Sequence, residues 1–174
     1  MPDYTGNYMK SFFVLLAALS CFEFAFANND FEASQAAFPR GPEASMTPGS
    51  LCGHPDEYRY PEHIPYCKRD VDTSLKKEII AKYDEEFGYR IGKMDRKKFK
   101  IDHYIPLCAG GSNEMDNLWP QHESVFTITD SLEQTVCEKM AAGKLKQEEA
   151  VEIVKKAKND LKTVEGVVKK LRAM

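Results

Sequence analysis

Phe99-Lys-Ile-Asp-His-Tyr-Ile-Pro-Leu-Cys-Ala-Gly-Gly-Ser-Asn-Glu-Met-Asp-Asn-Leu-Trp-Pro-Gln-His122 is the stretch on which the fold turns. Phe99 to His103 reads as a strand, Pro106 and the Gly110-Gly111 pair mark a loop, and Leu118-Trp119 reads as a second short strand. Around that loop the chain sets Asp102, His103, Asn117 and His122. A carboxylate and an imidazole can hold a divalent metal, while a second imidazole with a near-neutral pKa can take a proton from water. The set suits metal-assisted phosphodiester hydrolysis. Adjacent residues on a regular strand point to opposite faces, so Asp102 and His103 share a site only if the strand ends or bulges there. Pro106 and the glycine pair make an end at that point the expectation.

Outward from this stretch, a helix is expected from a Thr73 or Ser74 cap, with Leu75, Ile79, Ile80, Tyr83 and Phe87 on one face and Gly88 as its stop. Tyr89 to Ile91 reads as a further strand. Asp130 or Thr129 caps a helix bearing Leu132, Val136 and Met140 that ends at Gly143. Beyond it Val154, Ala157, Leu161, Val164, Val168 and Leu171 form a heptad-like stripe, expected to pack on its own domain rather than in a coiled coil. Residues 51 to 72, rich in Pro and Tyr, read as irregular extended chain with His54 and His63 exposed in it. The whole reads as α+β, with a small two-stranded unit embedded in a mainly helical domain spanning 51–174.

The N-terminal segment has a different character. Lys10, the apolar run Ser11 to Phe22 and Ala25-Phe-Ala27 form a signal-peptide pattern, with cleavage expected after Ala27. The run is shorter than the roughly 20 residues of a spanning helix, so no transmembrane segment is expected in the mature chain. Residues 28–50, rich in Ala, Ser, Pro and Gly, read as a disordered linker. The resulting location is secreted or periplasmic. Four cysteines follow the signal, Cys52, Cys67, Cys108 and Cys137, an even count that suggests two disulfides in an exported chain. Three pairings are possible; Cys52 with Cys67 and Cys108 with Cys137 is favoured, since each would tie a segment near the site to a neighbouring element. No Cys-x-x-Cys occurs, which makes a four-cysteine zinc site the weaker reading.

With 24 Lys plus Arg against 27 Asp plus Glu, the net charge is -3 and no global positive field announces a nucleic-acid partner. From Lys68 to Lys100 there are eleven basic residues against seven acids, an excess of 11 − 7 = 4. Arg96, Lys97, Lys98 and Lys100 lead into the Asp-His pair, where they are candidates to contact phosphates without reading bases. A solvated charged face is the competing reading of the same run.

Asp102-His103, Pro106-Leu107, Gly110-Gly111, Asn117-Leu118 and His122 together resemble the HNH, or His-Me finger, endonuclease superfamily, over roughly residues 99 to 126. The resemblance implies a ββα-metal finger with His103 as general base, Asp102 as metal ligand and Asn117 as the residue that fixes the loop and orients His103. It also implies a divalent ion, Mg²⁺ with Mn²⁺ or another as an alternative, held by Asp102 and His122. One departure concerns the last ligand, which in the family stands about eight or nine residues after the central Asn, near Val125 or Phe126 here. Either His122, with Glu123 as a spare candidate, replaces it, or the site lacks that ligand.

The function expected is therefore that of an exported, monomeric, metal-dependent endonuclease: a hydrolase of phosphodiester bonds in DNA, or RNA, with low sequence specificity. A non-catalytic nucleic-acid or polyanion binding module on the same scaffold is the alternative. A third reading takes the Val154 to Leu171 stripe as the surface of an interaction protein.

Overall fold

The computed structural model describes residues 36–174, in which small antiparallel hairpins and helices alternate. Strand β1 (Glu57–Arg59) pairs with β2 (Ile64–Tyr66), and β3 (Phe99–His103) pairs with β4 (Leu118–His122). Helices α1 (Thr73–Phe87), α2 (Glu123–Ala141), α3 (Gln147–Asn159) and α4 (Val164–Arg172) surround the two hairpins. Mixed helix and sheet is the result. The signal segment and residues 28 to 35 of the expected linker lie outside the described residues.

Local chemistry explains α1. Asp72 caps it by accepting the Leu75 amide at 2.7 Å, and Gly88 ends it in the left-handed conformation at φ 69°. Its apolar face buries Ile79, Ile80 and Tyr83 against Phe99, Ile101 and Leu118 of the β3–β4 hairpin in one core cluster. In the other, Leu132, Val136 and Met140 of α2 meet Val154, Ala157, Val164, Val168 and Leu171. The heptad-like stripe thus packs on its own domain, but as two helices broken at Asp160, whose carboxylate caps the turn Leu161–Thr163.

Four expectations are corrected. Residues 36–50 are ordered: Thr47 is buried, bonded through Oγ1 to the Tyr83 hydroxyl at 2.7 Å and to the Leu118 carbonyl at 3.2 Å, and Phe38 stacks on His122 at 4.1 Å between ring centroids. The segment lacks periodicity because tertiary bonds satisfy its backbone one group at a time, as where Gly49 donates to the Asp116 carbonyl at 2.8 Å. Tyr89 to Ile91 forms no strand; Asp84 accepts the Ile91 and Gly92 amides at 2.8 Å each and winds Ile91–Lys93 into a 3₁₀ turn. Residues 51–72 contain the β1–β2 hairpin, whose loop uses left-handed conformations at Tyr60 (φ 64°) and His63 (φ 53°). Helix α2 starts at Glu123, not at residue 129 or 130, because burial of Val125 and Thr129 outweighs the low helix propensity of the β-branched run.

Two disulfides form, Cys52–Cys67 and Cys108–Cys137. The second joins the loop after β3 to α2 across a sequence separation of 29 and, by loop-closure entropy, contributes about 3 to 4 kcal/mol. Complete reduction should therefore lower the unfolding temperature by 10 °C or more, to order of magnitude, given several degrees per kcal/mol for a chain of this size. Paired thermal scans of the oxidised and reduced chain, with peptide mapping, check this; an unchanged transition would show that the bond adds nothing to stability.

Candidate active site at the end of strand β3

Asn117 organises the site. It is fully buried, its Oδ1 accepts the Ile105 amide at 2.8 Å, and its Nδ2 donates to the carbonyls of Ile105 (3.0 Å) and Ser112 (2.9 Å). One side chain thereby clamps both limbs of the loop between β3 and β4. The two glycines are needed for separate reasons. Gly110 is left-handed at φ 83°, while a Cβ on Gly111 would stand 1.9 Å from the Ile105 carbonyl oxygen.

His103 closes the strand beside this loop and is 3% exposed. Arg69 Nη1 lies 3.0 Å from its Nδ1, and Asn113 Oδ1 lies 3.0 Å from its Nε2. A guanidinium can only donate, so Nδ1 is the acceptor and the ring proton sits on Nε2, directed at Asn113. Asn113 is itself held through Nδ2 by the Lys68 carbonyl at 2.6 Å, and Arg69 by the Ile101 carbonyl at 2.6 Å. Burial pushes the His103 pKa down to about 4; the Asn113 bond opposes this shift and Arg69 reinforces it. The imidazole is neutral at physiological pH, with its lone pair facing an exposed arginine.

Asn117 clamps the loop, and the residues whose side chains hold the His103 ring are Asn113 and Arg69. Neither was singled out by sequence. The signal available was the Lys68-Arg69 pair directly after Cys67, whose disulfide anchors it to the core.

Asp102 serves another face. The β3–β4 register is regular, with Asp102 opposite Trp119 and Phe99 opposite His122, so Asp102 shares a face with Lys100, Trp119 and Gln121. His103 lies on the other. Asp102 is buried; its Oδ2 has no hydrogen-bond partner and stands 3.4 Å from Lys100 Nζ. Lys158, fully buried on α3, completes the group: its Nζ is 2.5 Å from Glu133 Oε1 and donates to the His103 carbonyl at 2.6 Å. Burial alone would raise the Asp102 pKa, but Lys158, then Lys100, more than reverse it, so the carboxylate is held below its ordinary range. Burial raises Glu133, Lys158 pulls it back, and the Asp102 charge pushes it up again; the net shift is upward.

His122 does not join Asp102. It lies on the opposite face, three residues or roughly 10 Å farther along the hairpin. There it caps α2, its Nδ1 accepting the Ser124 amide at 3.2 Å, and its ring is stacked under Phe38. Glu123 is paired with Lys98 at 3.1 Å. Among the described residues no group of three His, Cys, Asp or Glu side chains is placed to hold a metal ion. The donors present do not fit the divalent ion that the sequence led us to expect, because Asp102 faces the Lys100 ammonium and lies on the opposite face of the hairpin from His122.

The expected phosphate contacts are also partly engaged. Lys100 binds Asp130 at 2.6 Å and Arg96 donates to the Phe99 carbonyl at 2.6 Å; together with the Lys98–Glu123 pair this leaves Lys97 as the member of the run without a side-chain partner named among these contacts. Among the described residues no helix is long and apolar enough to cross a membrane. No protein-family model, curated protein or solved structure matches this chain.

Two predictions test the geometry. Asn117→Ala strands three buried backbone groups, at about 1 to 3 kcal/mol each, and should destabilise the fold by about 3 kcal/mol or more in urea titrations. His103 has an ordinary pKa of 6.5 when unfolded and about 4 in the fold, so its contribution to stability is present above pH 6.5 and lost as pH falls towards 4. Denaturation midpoints between pH 4 and 7 should decline on acidification, and His103→Gln should flatten that decline.

Proposed function

We propose that this chain is an exported nuclease of the HNH type, cleaving phosphodiester bonds of nucleic acid with low sequence specificity at His103. The observation that carries the reading is the Arg69–His103–Asn113 arrangement: a neutral imidazole held at Nε2 by Asn113 beside a clamped loop, its Nδ1 lone pair engaged by an exposed guanidinium. The Asp-His and Gly-Gly resemblance supports it.

A phosphodiester approaching this lip draws the Arg69 guanidinium onto its nonbridging oxygens, since a bidentate charge-assisted pair outweighs the bond to a neutral imidazole. Nδ1 is thereby freed to accept a proton from a water whose oxygen bonds to phosphorus as the scissile P–O bond breaks and the leaving oxygen takes a proton from solvent, while Asn113 keeps the ring from turning. Arg69 then neutralises the charge that develops on phosphorus oxygens in the transition state. Asn117 and the glycine pair are positioning residues that hold the loop around this geometry. Contacts of this kind address the backbone and not the bases, which gives low specificity. Two disulfides are compatible with an extracellular location, and the sequence pattern of residues 1–27 supports export.

The second reading, a non-catalytic binding module for nucleic acid or another polyanion, is favoured by the pairing of Asp102 with the Lys100 ammonium. Incubating the oxidised chain with plasmid DNA and with RNA, in Mg²⁺, Mn²⁺ or chelator, separates the two. Cleavage in any arm is expected, reduced about 10²- to 10⁴-fold in His103→Ala, as loss of proton abstraction predicts. Arg69→Ala should lower kcat/KM about ten- to hundred-fold, the worth of a charge-assisted bond. Binding without cleavage in every arm would overturn the nuclease reading and leave the module.

A further inference from the structure

Lys68, Arg69 and Asp70 are exposed and belong to no helix or strand, yet two of the three hold the His103 site. Arg69 contacts the imidazole at 3.0 Å, and the Lys68 carbonyl accepts, at 2.6 Å, the side-chain amide of the Asn113 that fixes the other side of the ring. So short a stretch keeps its place through its ends. On the C-terminal side Val71 is buried in the core cluster of α1, and Asp72 caps that helix. On the N-terminal side stands Cys67, bonded to Cys52. Cys52 in turn lies against the glycine loop: its amide donates to the Gly110 carbonyl at 2.8 Å, and Leu51 beside it forms a bridge with Gly111. The Cys52–Cys67 bond is therefore the covalent link between the loop that Asn117 clamps and the segment that carries Arg69. The Lys68 amide also donates to Asp56 at 2.7 Å, but Asp56 belongs to the stretch that the bond closes, so this tie holds Lys68 to the β1–β2 hairpin and not to the glycine loop.

We infer that the Cys52–Cys67 bond is a redox lock on the His103 site: with the two thiols free, Arg69 and Asn113 are no longer held on the imidazole and the site idles in a folded chain, and closing the bond assembles it. The reaction is exchange with the disulfide of another thiol compound. One cysteine thiolate attacks that disulfide and the second displaces the compound, so the two cysteines lose two protons and two electrons in all while the compound's S–S bond becomes two thiols. A dithiol runs the exchange backwards. The control of activity rests on the nuclease reading above, whereas the control of the imidazole does not. Such a chain is idle where thiols stay reduced and competent once it is outside the cytoplasm, where disulfides persist.

The experiment compares Cys52→Ser/Cys67→Ser with the oxidised wild-type chain, Cys108–Cys137 being intact in both. Trp119, the single tryptophan and fully buried on β4, reports the fold by its emission. The His103 ring is read by nitrogen NMR, assigned by its absence in His103→Gln, as the exchange rate of its Nε2 proton with water and the balance of its two tautomers. A lower unfolding temperature is what any loop-closing bond predicts, so stability does not decide the question. Well below the transition the variant is expected to keep wild-type Trp119 emission, to exchange the ring proton about tenfold faster or more with both tautomers present, and to cleave about ten- to hundred-fold more slowly, as for Arg69→Ala. In the wild-type chain a dithiol and then a disulfide should remove and restore the ring signal in step with the Cys52–Cys67 peptide. A ring signal unchanged in the folded variant, or persisting in the wild type with that bond reduced, would overturn the inference. So would a lost signal with full cleavage, or loss of Trp119 emission together with the ring signal, which would make the bond a staple of the whole fold. If the wild-type chain cleaves nothing, the nuclease reading falls and the ring signal alone decides the lock: its loss in the folded variant supports the lock and its persistence refutes it.

Discussion

The amide of Asn117 bridges the two limbs of the loop between β3 and β4, at Ile105 and Ser112. Without that clamp the amide and carbonyl of Ile105 and the carbonyl of Ser112 would be buried without these bonds, at a cost comparable to a good fraction of a small domain's net stability. Much of the site is built onto this loop. His103 and Tyr104 enter it, Cys108 leaves it towards α2, and Asn113 at its tip reaches back to the imidazole. The glycines belong to the same constraint, because Gly111 passes so close to Ile105 that no side chain fits.

A second constraint is the period of two along β3. Regular pairing with β4 sends Asp102 and His103 to opposite faces, so two residues adjacent in sequence belong to two electrostatic environments. One face presents a neutral imidazole to an exposed arginine. The other buries carboxylates against lysines, and Trp119 and Gln121 share it. Burial disfavours the charged form of both residues: it discharges the histidine, whereas the Asp102 carboxylate stays charged because the positive charges of Lys158 and Lys100 outweigh it. His122, which the sequence suggested as a partner for Asp102, is used instead to cap α2 and to carry the ring of Phe38.

Several features were legible from residue types alone because their causes are local. The spacing of Ile79, Ile80 and Tyr83 and the stop at Gly88 define α1; Pro106 and the glycine pair define the loop; the even cysteine count suggested the two bonds that form. Where the reading failed, the deciding energy was not local. The run Val125 to Thr129 has weak helix propensity yet opens α2, since Val125 and Thr129 are buried on it. Residues 36–50 have neither period nor strong hydrophobicity, and their order comes from single hydrogen bonds to Tyr83, Leu118 and Asp116, far away in the chain.

The sequence by itself determined the order of helices and strands around the Gly-Gly loop and the placing of His103 and Asn117 on it, because periodicity, caps and steric limits act over a few residues. Only the tertiary structure decided which charges meet. Arg69 reaches His103 across 34 positions and Lys158 reaches the carbonyl of the same residue across 55, contacts that no spacing rule encodes. Whether Glu133 meets the Lys158 ammonium depends on how α3 packs against α2. That is set by the shape of the apolar cores, while the chemistry of the site follows from where the packing leaves the charged side chains.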